Sequence, residues 1–343
     1  MKILITGGLG LVGRPLVQRL LQHGHTVRVL DRAGEQPPTE VECVIGDITD
    51  FAAVREAVRG MQAIIHLAAL PHPAAGPGYE IFRINCSGSF NVYEAAAQEG
   101  IRRVVCASSI NALGFNYGVK SFPIQYLPMD EEHPTFTSDP YSFSKQITEE
   151  IGAYYWRREG ISGVQLRLPA VLHWNEEFRA MLQQFTPILH QAYEKVLAMP
   201  VANQQARARQ LVAELDESRA RRDREKPWSG GMPEGEWKPN LDDPLPLISF
   251  GYTDFWAMIH DENSAQALEN GVLAEYQGSH PLFVADEVNM LNLDAETLAR
   301  IFYPEAARKR PLAGNAPLVS FEKARRLIGY EPEDHQNVLD RSP

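Results

Sequence analysis

The chain has 343 residues, 44% of them hydrophobic, enough to bury one large α/β core and a smaller lobe. A net charge of −11 argues against nucleic acid and anionic membrane surfaces as partners, and three cysteines (Cys43, Cys86, Cys106) give neither metal-ligand spacing nor a disulfide framework. With no charged, apolar leader and no apolar run long enough to span a bilayer, the expectation is a soluble, cytoplasmic protein without a membrane or metal partner.

Lys2-Ile3-Leu4-Ile5-Thr6 reads as a short buried strand, and Gly7-Gly8-Leu9-Gly10-Leu11-Val12-Gly13 follows it directly. A helix starts at Arg14-Pro15, carries Leu16, Leu20 and Leu21 on one face and stops near Gly24; Thr26 to Asp31 is a second strand tipped with acid. Strand, glycine turn, helix and acid-ended strand make a dinucleotide-binding unit. Gly7 permits the tight turn, Gly10 lets backbone approach a pyrophosphate, and Gly13 lets helix pack on strand. The amides of Leu11, Val12 and Gly13 at the helix start face the phosphate charge. Asp31 accepts hydrogen bonds from ribose hydroxyls and repels a 2′-phosphate, which selects NAD rather than NADP, although the adjacent Arg32 is placed to meet such a phosphate.

A polar loop, Ala33 to Thr39, leads to a third strand, Val41 to Ile45, then Gly46-Asp47-Ile48, with Thr49 or Asp50 capping a helix through Ala53, Val54, Ala57 and Val58. Ala63 to Leu67 is a fully apolar fourth strand, as a central parallel strand should be, and it runs into Ala68-Ala69, where a ligand can come close. A long helix, Ile81 to Gly100, contains Asn85; a fifth strand, Val104 to Ala107, ends in Ser108-Ser109. This alternation predicts an α/β, Rossmann-type doubly wound parallel sheet, whose ligands bind beyond the carboxyl ends of the strands.

Asp139-Pro140 opens a helix that puts Tyr141 and Lys145 on one face. A phenol is a poor base at neutral pH, and a neighbouring ammonium together with an oxidised nicotinamide favours its phenolate. Ser109 can donate a hydrogen bond to a substrate oxygen. Tyr-x-x-x-Lys alone is usually a solvated helix face; downstream of a dinucleotide turn and a serine-ended strand it points to catalysis.

Together, Thr6 to Gly13, Gly46-Asp47-Ile48, His66-Leu67-Ala68-Ala69, Asn85, Ser108-Ser109 and Tyr141-Ser142-Phe143-Ser144-Lys145 resemble the extended short-chain dehydrogenase/reductase family, the NAD-dependent epimerase/dehydratase group. The resemblance implies that Asp47 and Ile48 flank the adenine and that Leu67, Ala68 and Ala69 line the cofactor. It also implies that Asn85 orders the cofactor and a proton relay, that Lys145 bonds the nicotinamide ribose, and that Pro169 packs beside the nicotinamide. Counted back from Gly114, Ser109 rather than Ser108 matches the catalytic serine. Ala170 stands where nucleotide-sugar members carry an asparagine that holds substrate, which weakens that assignment. Ile110-Asn111 supply no titrating acid and base for dehydration. Ala107 to Tyr117 is locally similar to uronate dehydrogenases.

From Asn175 the chain leaves the family plan. Phe178, Met181, Leu182, Phe185, Leu189, Ala192, Tyr193, Val196 and Leu197 recur at helical spacing, with Thr186-Pro187 as a restart or kink. A second charged helix spans about Asn203 to Arg224, and its run Arg219 to Lys226 reads as a solvated face rather than an anion patch. Pro227 to Pro246 reads as a loop. The family pattern returns at Phe255 to Asp261, where His260-Asp261 reads as structural rather than a catalytic dyad. Leu282 to Ala285 is a late strand; Thr297 to Phe302 and Phe321 to Ile328 are helices, and the tail after Pro332 is loose. His23, His25 and His66 also read as structural.

The chain therefore divides into a cofactor domain (1–173), a helical hairpin and loop insertion (174–249) covering the substrate mouth or an oligomer contact, and a C-terminal substrate lobe (250–343). The expected activity is NAD-dependent hydride transfer to or from a sugar-like alcohol or carbonyl by Ser109, Tyr141, Lys145 and Asn85. A nucleotide-sugar epimerase with retained NAD and a non-catalytic NAD sensor are the alternatives. The helices Ile81–Gly100 and Tyr141–Gly160 match the pair through which the family forms homodimers.

Overall fold

Parallel strands buried on both faces need apolar residues at every position, and β1 (Lys2–Thr6) is buried from Ile3 onward. The computed structural model describes residues 1–32, 38–222 and 239–333. Most of the polar loop at 33–39, the charged residues 223–226, most of the loop at 227–246 and the tail from 334 lie outside the described residues.

After β1 come β2 (Thr26–Asp31), β3 (Glu42–Ile45), β4 (Ala63–His66), β5 (Val104–Ser109), β6 (Tyr126–Leu127), β7 (Gly163–Leu168), β8 (Ala170–Leu172), β9 (Met258–His260), β10 (Ser279–Phe283) and β11 (Ala307–Arg308). Seven of them form one parallel sheet in the order β10-β7-β5-β4-β1-β2-β3. The order reverses between β1 and β4, which opens the crevice where such sheets take ligands. The C-terminal part of the described chain also enters this sheet: β10 pairs with β7, and the helix Asp261–Leu273 packs under the sheet against the helix Gly13–Gln22. That contact is pinned by Glu269, almost fully buried, which takes hydrogen bonds from Arg19 at 2.7 Å and pairs with His23 at 2.7 Å. His66, ending β4, lies between Thr6 and Ser89, and burial first, then the Lys145 charge, lowers its pKa to about 3. His23 and His66 are thus satisfied by structural partners.

Several elements depart from expectation. The long helix around Asn85 is three consecutive pieces: α-helix Gly78–Phe82, a π-helical turn Arg83–Ser87, and α-helix Gly88–Gln98. Glu176–Ala198 runs through Pro187 as one helix rather than restarting there. On the turn before Pro187, Thr186 donates its hydroxyl to the Leu182 carbonyl at 2.7 Å. Met181 and Leu197, expected on the apolar stripe, are exposed, whereas Ala192 and Val196 are buried. The second insertion helix is Val201–Arg221. The late strand ends at Phe283, so Val284 and Ala285 are buried beyond it. Among the described residues no helix is long and apolar enough to cross a membrane.

Candidate active site

The cofactor side is built by the turn after β1. Gly7 sits at φ +73°, and a Cβ there would lie 2.7 Å from the Ala68 amide nitrogen. A Cβ on Gly13 would lie 2.5 Å from the Gly7 carbonyl, so the helix can start only where it does if this residue is glycine. Gly10 meets nothing closer than 3.4 Å, which leaves its backbone open to approach. Val12 precedes the helix Gly13–Gln22, whose first amides have no intrahelical acceptor, and Leu11 is 57% exposed beside it. Asp31 ends β2 beside this turn. One of its oxygens accepts from the Leu9 amide at 2.9 Å and the other from the Arg32 amide at 2.8 Å. Each oxygen retains a lone pair for a hydroxyl.

Asp47 and Ile48 are fixed in the same local way. Asp47 accepts from the Thr49 amide and hydroxyl, and these two bonds, chiefly, hold its carboxyl below the usual range. Ile48 is buried against Gly88, where a Cβ would collide with it. The amides of Leu67 and Ala68 donate to the Thr6 carbonyl and hydroxyl, which anchors the segment leading to Ala69 beside the glycine turn. Pro169 follows β7 and separates it from β8. The structure therefore brings the glycine turn, Asp31 and the end of β4 together at the sheet's switch point. The open space at Gly10, whose own amide is spent on the Gly7 carbonyl at 3.2 Å, and the spare acceptor capacity of Asp31 suit a dinucleotide.

The reaction side lies at the ends of β5 and of the helix Pro140–Glu159, whose first turn is capped by Asp139 through the Ser142 amide at 2.9 Å. Side chains alternate along β5, so Ser108 and Ser109 face opposite ways. Ser108 donates to buried Glu149 at 2.6 Å, while Ser109 lies on the side of the Tyr141 phenol, near enough to hold its pKa down. Ser109 also accepts from the Asn111 amide at 3.1 Å. Burial pushes the Tyr141 phenol well above its usual range; Ser109 draws it back, and Tyr117, Asp139 and Asp254 add to the push. Lys145 is buried, donates to the Ala107 carbonyl at 2.8 Å and stands 5.9 Å from the Tyr141 ring centroid. Burial lowers its pKa to about 8.

Asn85 makes no hydrogen bond to Lys145. Its carboxamide grips the Leu70 backbone, accepting from the amide at 2.8 Å and donating to the carbonyl at 3.1 Å, and it also donates to the Ser144 hydroxyl at 2.9 Å. The π-helical turn aims it inward, so Asn85 ties the segment after β4 to the residue beside Lys145.

Residues not singled out from sequence complete the site. Asn116 donates to both oxygens of Asp254 at 3.2 and 3.1 Å, and the Tyr117 ring packs edge-on against Tyr141 at 5.7 Å. Arg219 does not lie on a solvated face: its side chain is fully buried and donates to the Phe115 and Asn116 carbonyls at 3.0 and 2.7 Å and to the Ser121 hydroxyl at 3.0 Å. Arg222 donates to the Tyr117 carbonyl at 2.7 Å. The second insertion helix thus holds the loop that follows Ser109. The signal in the sequence was the short acid-bearing turn after Gly251, but its partners are more than a hundred residues away. His260 and Asp261 do not pair with each other: His260 Nδ1 lies 2.5 Å from Asp286, and Asp261 pairs with His173 at 2.6 Å. Among the described residues no three histidine, cysteine or acidic side chains are grouped to hold a metal.

A seven-stranded parallel sheet of this order, a serine ending β5, Tyr-x-x-x-Lys on the helix Pro140–Glu159 and the family match below place the chain among the extended short-chain dehydrogenase/reductases. Residues 3–212 match the model of the NAD dependent epimerase/dehydratase family, and the chain belongs to that family. It is similar to a uronate dehydrogenase of Pseudomonas syringae, 31% identical over 169 residues, which is 49% of this chain and 58% of that one. It is also similar to an L-arabinose 1-dehydrogenase (NAD(P)+) of Haloferax volcanii, 32% identical over 181 residues, covering 51% of this chain and 69% of that one. The chain spans less than two thirds of the length of the uronate dehydrogenases it matches. A UDP-glucose 4-epimerase of Thermotoga maritima, solved with UDP-glucose, superposes with a TM-score of 0.60 over 97% of this chain and 94% of that one at 17% identity, a likeness of fold alone.

Proposed function

We propose that the chain is an NAD-dependent dehydrogenase of a sugar-like substrate, oxidising a hydroxyl-bearing carbon to a carbonyl or running the reverse reduction. The observation that carries the reading is the convergence of the Ser109 hydroxyl and the Tyr141 phenol, with Lys145 beside them, at the carboxyl end of β5 next to the glycine turn. When bound, NAD supplies the hydride acceptor. Gly7, Gly10, Leu11, Val12 and Gly13 would hold its pyrophosphate, Asp31 and Arg32 would meet its adenosine ribose, and Asp47 and Ile48 would flank its adenine. Leu67, Ala68, Ala69 and Pro169 would line its remaining length. Tyr141 takes the proton of the substrate hydroxyl. Ser109 donates to the same oxygen and steadies its developing charge. Lys145, 5.9 Å from the Tyr141 ring centroid, would favour the phenolate through its positive charge, and its two protons not given to Ala107 would be available to the nicotinamide ribose. Asn85 is a positioning residue acting through Leu70 and Ser144.

The test offers purified protein and NAD to aldoses, uronic acids, sugar nucleotides and simple secondary alcohols and follows NADH absorbance. Turnover on a free sugar supports the reading. Silence on every class, with sugar nucleotides epimerised and NAD retained, establishes the epimerase instead; silence with NAD bound and no product leaves a sensor.

Cofactor choice follows from Asp31, whose carboxylate sits where a 2′-phosphate would add a second negative charge. We expect kcat/KM to favour NAD over NADP by roughly tenfold or more, the scale of an unfavourable like-charge contact. Equal or better use of NADP would mean that Arg32 outweighs Asp31.

The same reading divides the chain into a cofactor domain (1–173), an insertion (174–249) and a substrate lobe (250–343), with the insertion bracing the substrate site. Homodimerisation is proposed through the helical run 78–98 and the helix Pro140–Glu159, where Phe90, Phe143 and Tyr154 are 43%, 42% and 41% exposed. A sedimentation mass near twice 38.4 kDa is expected, and a monomer mass would contradict it. The three free thiols fit a reducing cytoplasm; recovery of the tagged chain from a membrane or secreted fraction would count against that location.

A further inference from the structure

The reacting end of the site is edged by a carboxylate that the family motifs do not supply. Asp254 ends a short 3-10 turn, Tyr252–Asp254. Gly251 before it lies at φ +87°, and Phe255 and Trp256 after it lie at φ +58° and +51°. Two consecutive bulky residues in the left-handed region are strained, and such strain persists where surrounding packing imposes it. Here Phe255 and Trp256 are completely buried, the indole donating to the Ile248 carbonyl at 3.0 Å. The contorted backbone drives both aromatics into the core and leaves Asp254 only partly covered, bonded to Asn116, whose chain neighbour Tyr117 packs its ring against Tyr141.

Its one hydrogen-bonding side chain is neutral: Asn116 donates to both oxygens, leaving each with acceptor capacity. The cations nearby are committed elsewhere. Arg219 serves the Phe115 and Asn116 carbonyls, Ser121 and Asp216; Arg222 serves the Tyr117 carbonyl and acts on Asp139; Lys145 serves Ala107. The charged and titratable groups around the reacting phenol are therefore Asp139, Asp254, Tyr117, Arg219, Arg222 and Lys145; of the two carboxylates Asp139 is buried beneath the helix it caps, whereas Asp254 is partly exposed and, among the described residues, has no ion-pair partner.

We propose that Asp254 is a specificity-determining residue that accepts a hydrogen bond from a substrate hydroxyl near the reacting carbon and disfavours a substrate carboxylate, so that the preferred substrate is a neutral aldose rather than a uronic acid. The inference rests on the dehydrogenase reading above and refines its substrate class. A carboxylate brought beside Asp254 meets a like charge in a poorly solvated cleft, whereas a hydroxyl finds a charged acceptor. Arg219 is the positioning residue behind it, because it fixes the loop from which Asn116 reaches Asp254. Burial raises the Asp254 pKa to about 6, with Asn116 and Arg219 holding it back, so the carboxylate form is complete only above neutral pH.

The experiment compares kcat and KM with NAD for neutral aldoses (L-arabinose, D-xylose, D-glucose) and for D-galacturonate and D-glucuronate, in the wild type and in Asp254→Asn. The wild type is expected to favour an aldose over the matching uronate by about tenfold or more in kcat/KM. Asp254→Asn is expected to lose about tenfold on the aldose, mainly through KM, with NAD affinity kept and the uronate spared, so the preference collapses. A wild type that prefers uronates overturns the inference, and this arm does not depend on the variant folding. An aldose-to-uronate ratio unchanged in Asp254→Asn also overturns it while leaving the dehydrogenase reading intact. No NADH from either sugar class in the wild type overturns the dehydrogenase reading, and this inference with it.

Discussion

Tyr141→Phe is expected to lower turnover by roughly 10²–10⁴-fold, the usual contribution of a positioned general base, while NAD affinity stays near that of the wild type. The substitution removes one oxygen and keeps the ring, so the edge-on contact with Tyr117 and the helix packing survive. What is lost is the phenol hydroxyl beside Ser109, a group that can take a proton and hand it on. The wild-type phenol starts from an unfavourable position, because burial raises its pKa and Asp139 and Asp254 oppose its ionisation. Activity should therefore rise with pH, since the phenolate is the competent form of a base whose pKa is raised. Steady-state kinetics together with a direct NAD titration check both halves of the expectation. Near-normal turnover in Tyr141→Phe would remove the phenol as the base.

The largest stability effect is expected from Arg167→Leu. Arg167 and Glu149 form a two-pronged pair at 2.9 and 2.8 Å with side chains only 4% and 8% exposed, and Ser108 donates to the same carboxylate at 2.6 Å. Removing the guanidinium leaves a buried carboxylate with one neutral partner, which typically costs about 3–5 kcal/mol. Replacing both members with apolar residues of similar volume should recover much of the loss, because the intact pair has already offset the cost of desolvating two ions. Urea unfolding of the wild type, both single variants and the double variant measures this coupling. Equal losses in Arg167→Leu and in the double variant would show that packing alone, not charge pairing, holds this corner. The pair matters to the chemistry because Glu149 lies one turn beyond Lys145 on the same helix face, and Ser108 immediately precedes Ser109.

The parts of the molecule legible from sequence are those specified by local spacing. The glycine turn could be read because its spacing is local, and Gly13 abuts the Gly7 carbonyl within the turn itself, although Gly7 answers to Ala68 after β4. The choice of Ser109 over Ser108 rests on the family resemblance, counted back from Gly114, and the structure gives the two hydroxyls different partners. Parts set by distant partners were not legible. The π-helical turn at Asn85 reflects demands from Leu70 and Ser144, neither encoded in the helix's own pattern. Arg219 sits among alternating charges that look solvated, yet it is buried because the carbonyls of Phe115 and Asn116 need donors where the loop after Ser109 turns inward. Asp254 escaped for the same reason, since its meaning depends on Asn116 and Tyr141 rather than on its neighbours in the chain.

The most direct test of the central claim follows the hydrogen itself. An aldose that the wild-type protein turns over is supplied with deuterium on the carbon to be oxidised, and the recovered cofactor and sugar are analysed by mass spectrometry. Deuterium in the released reduced cofactor, matched mole for mole by oxidised sugar and absent with Tyr141→Phe, is the expected result. Deuterium retained in a sugar recovered with inverted configuration, with no net reduction of NAD, would contradict the dehydrogenase account and establish an epimerase.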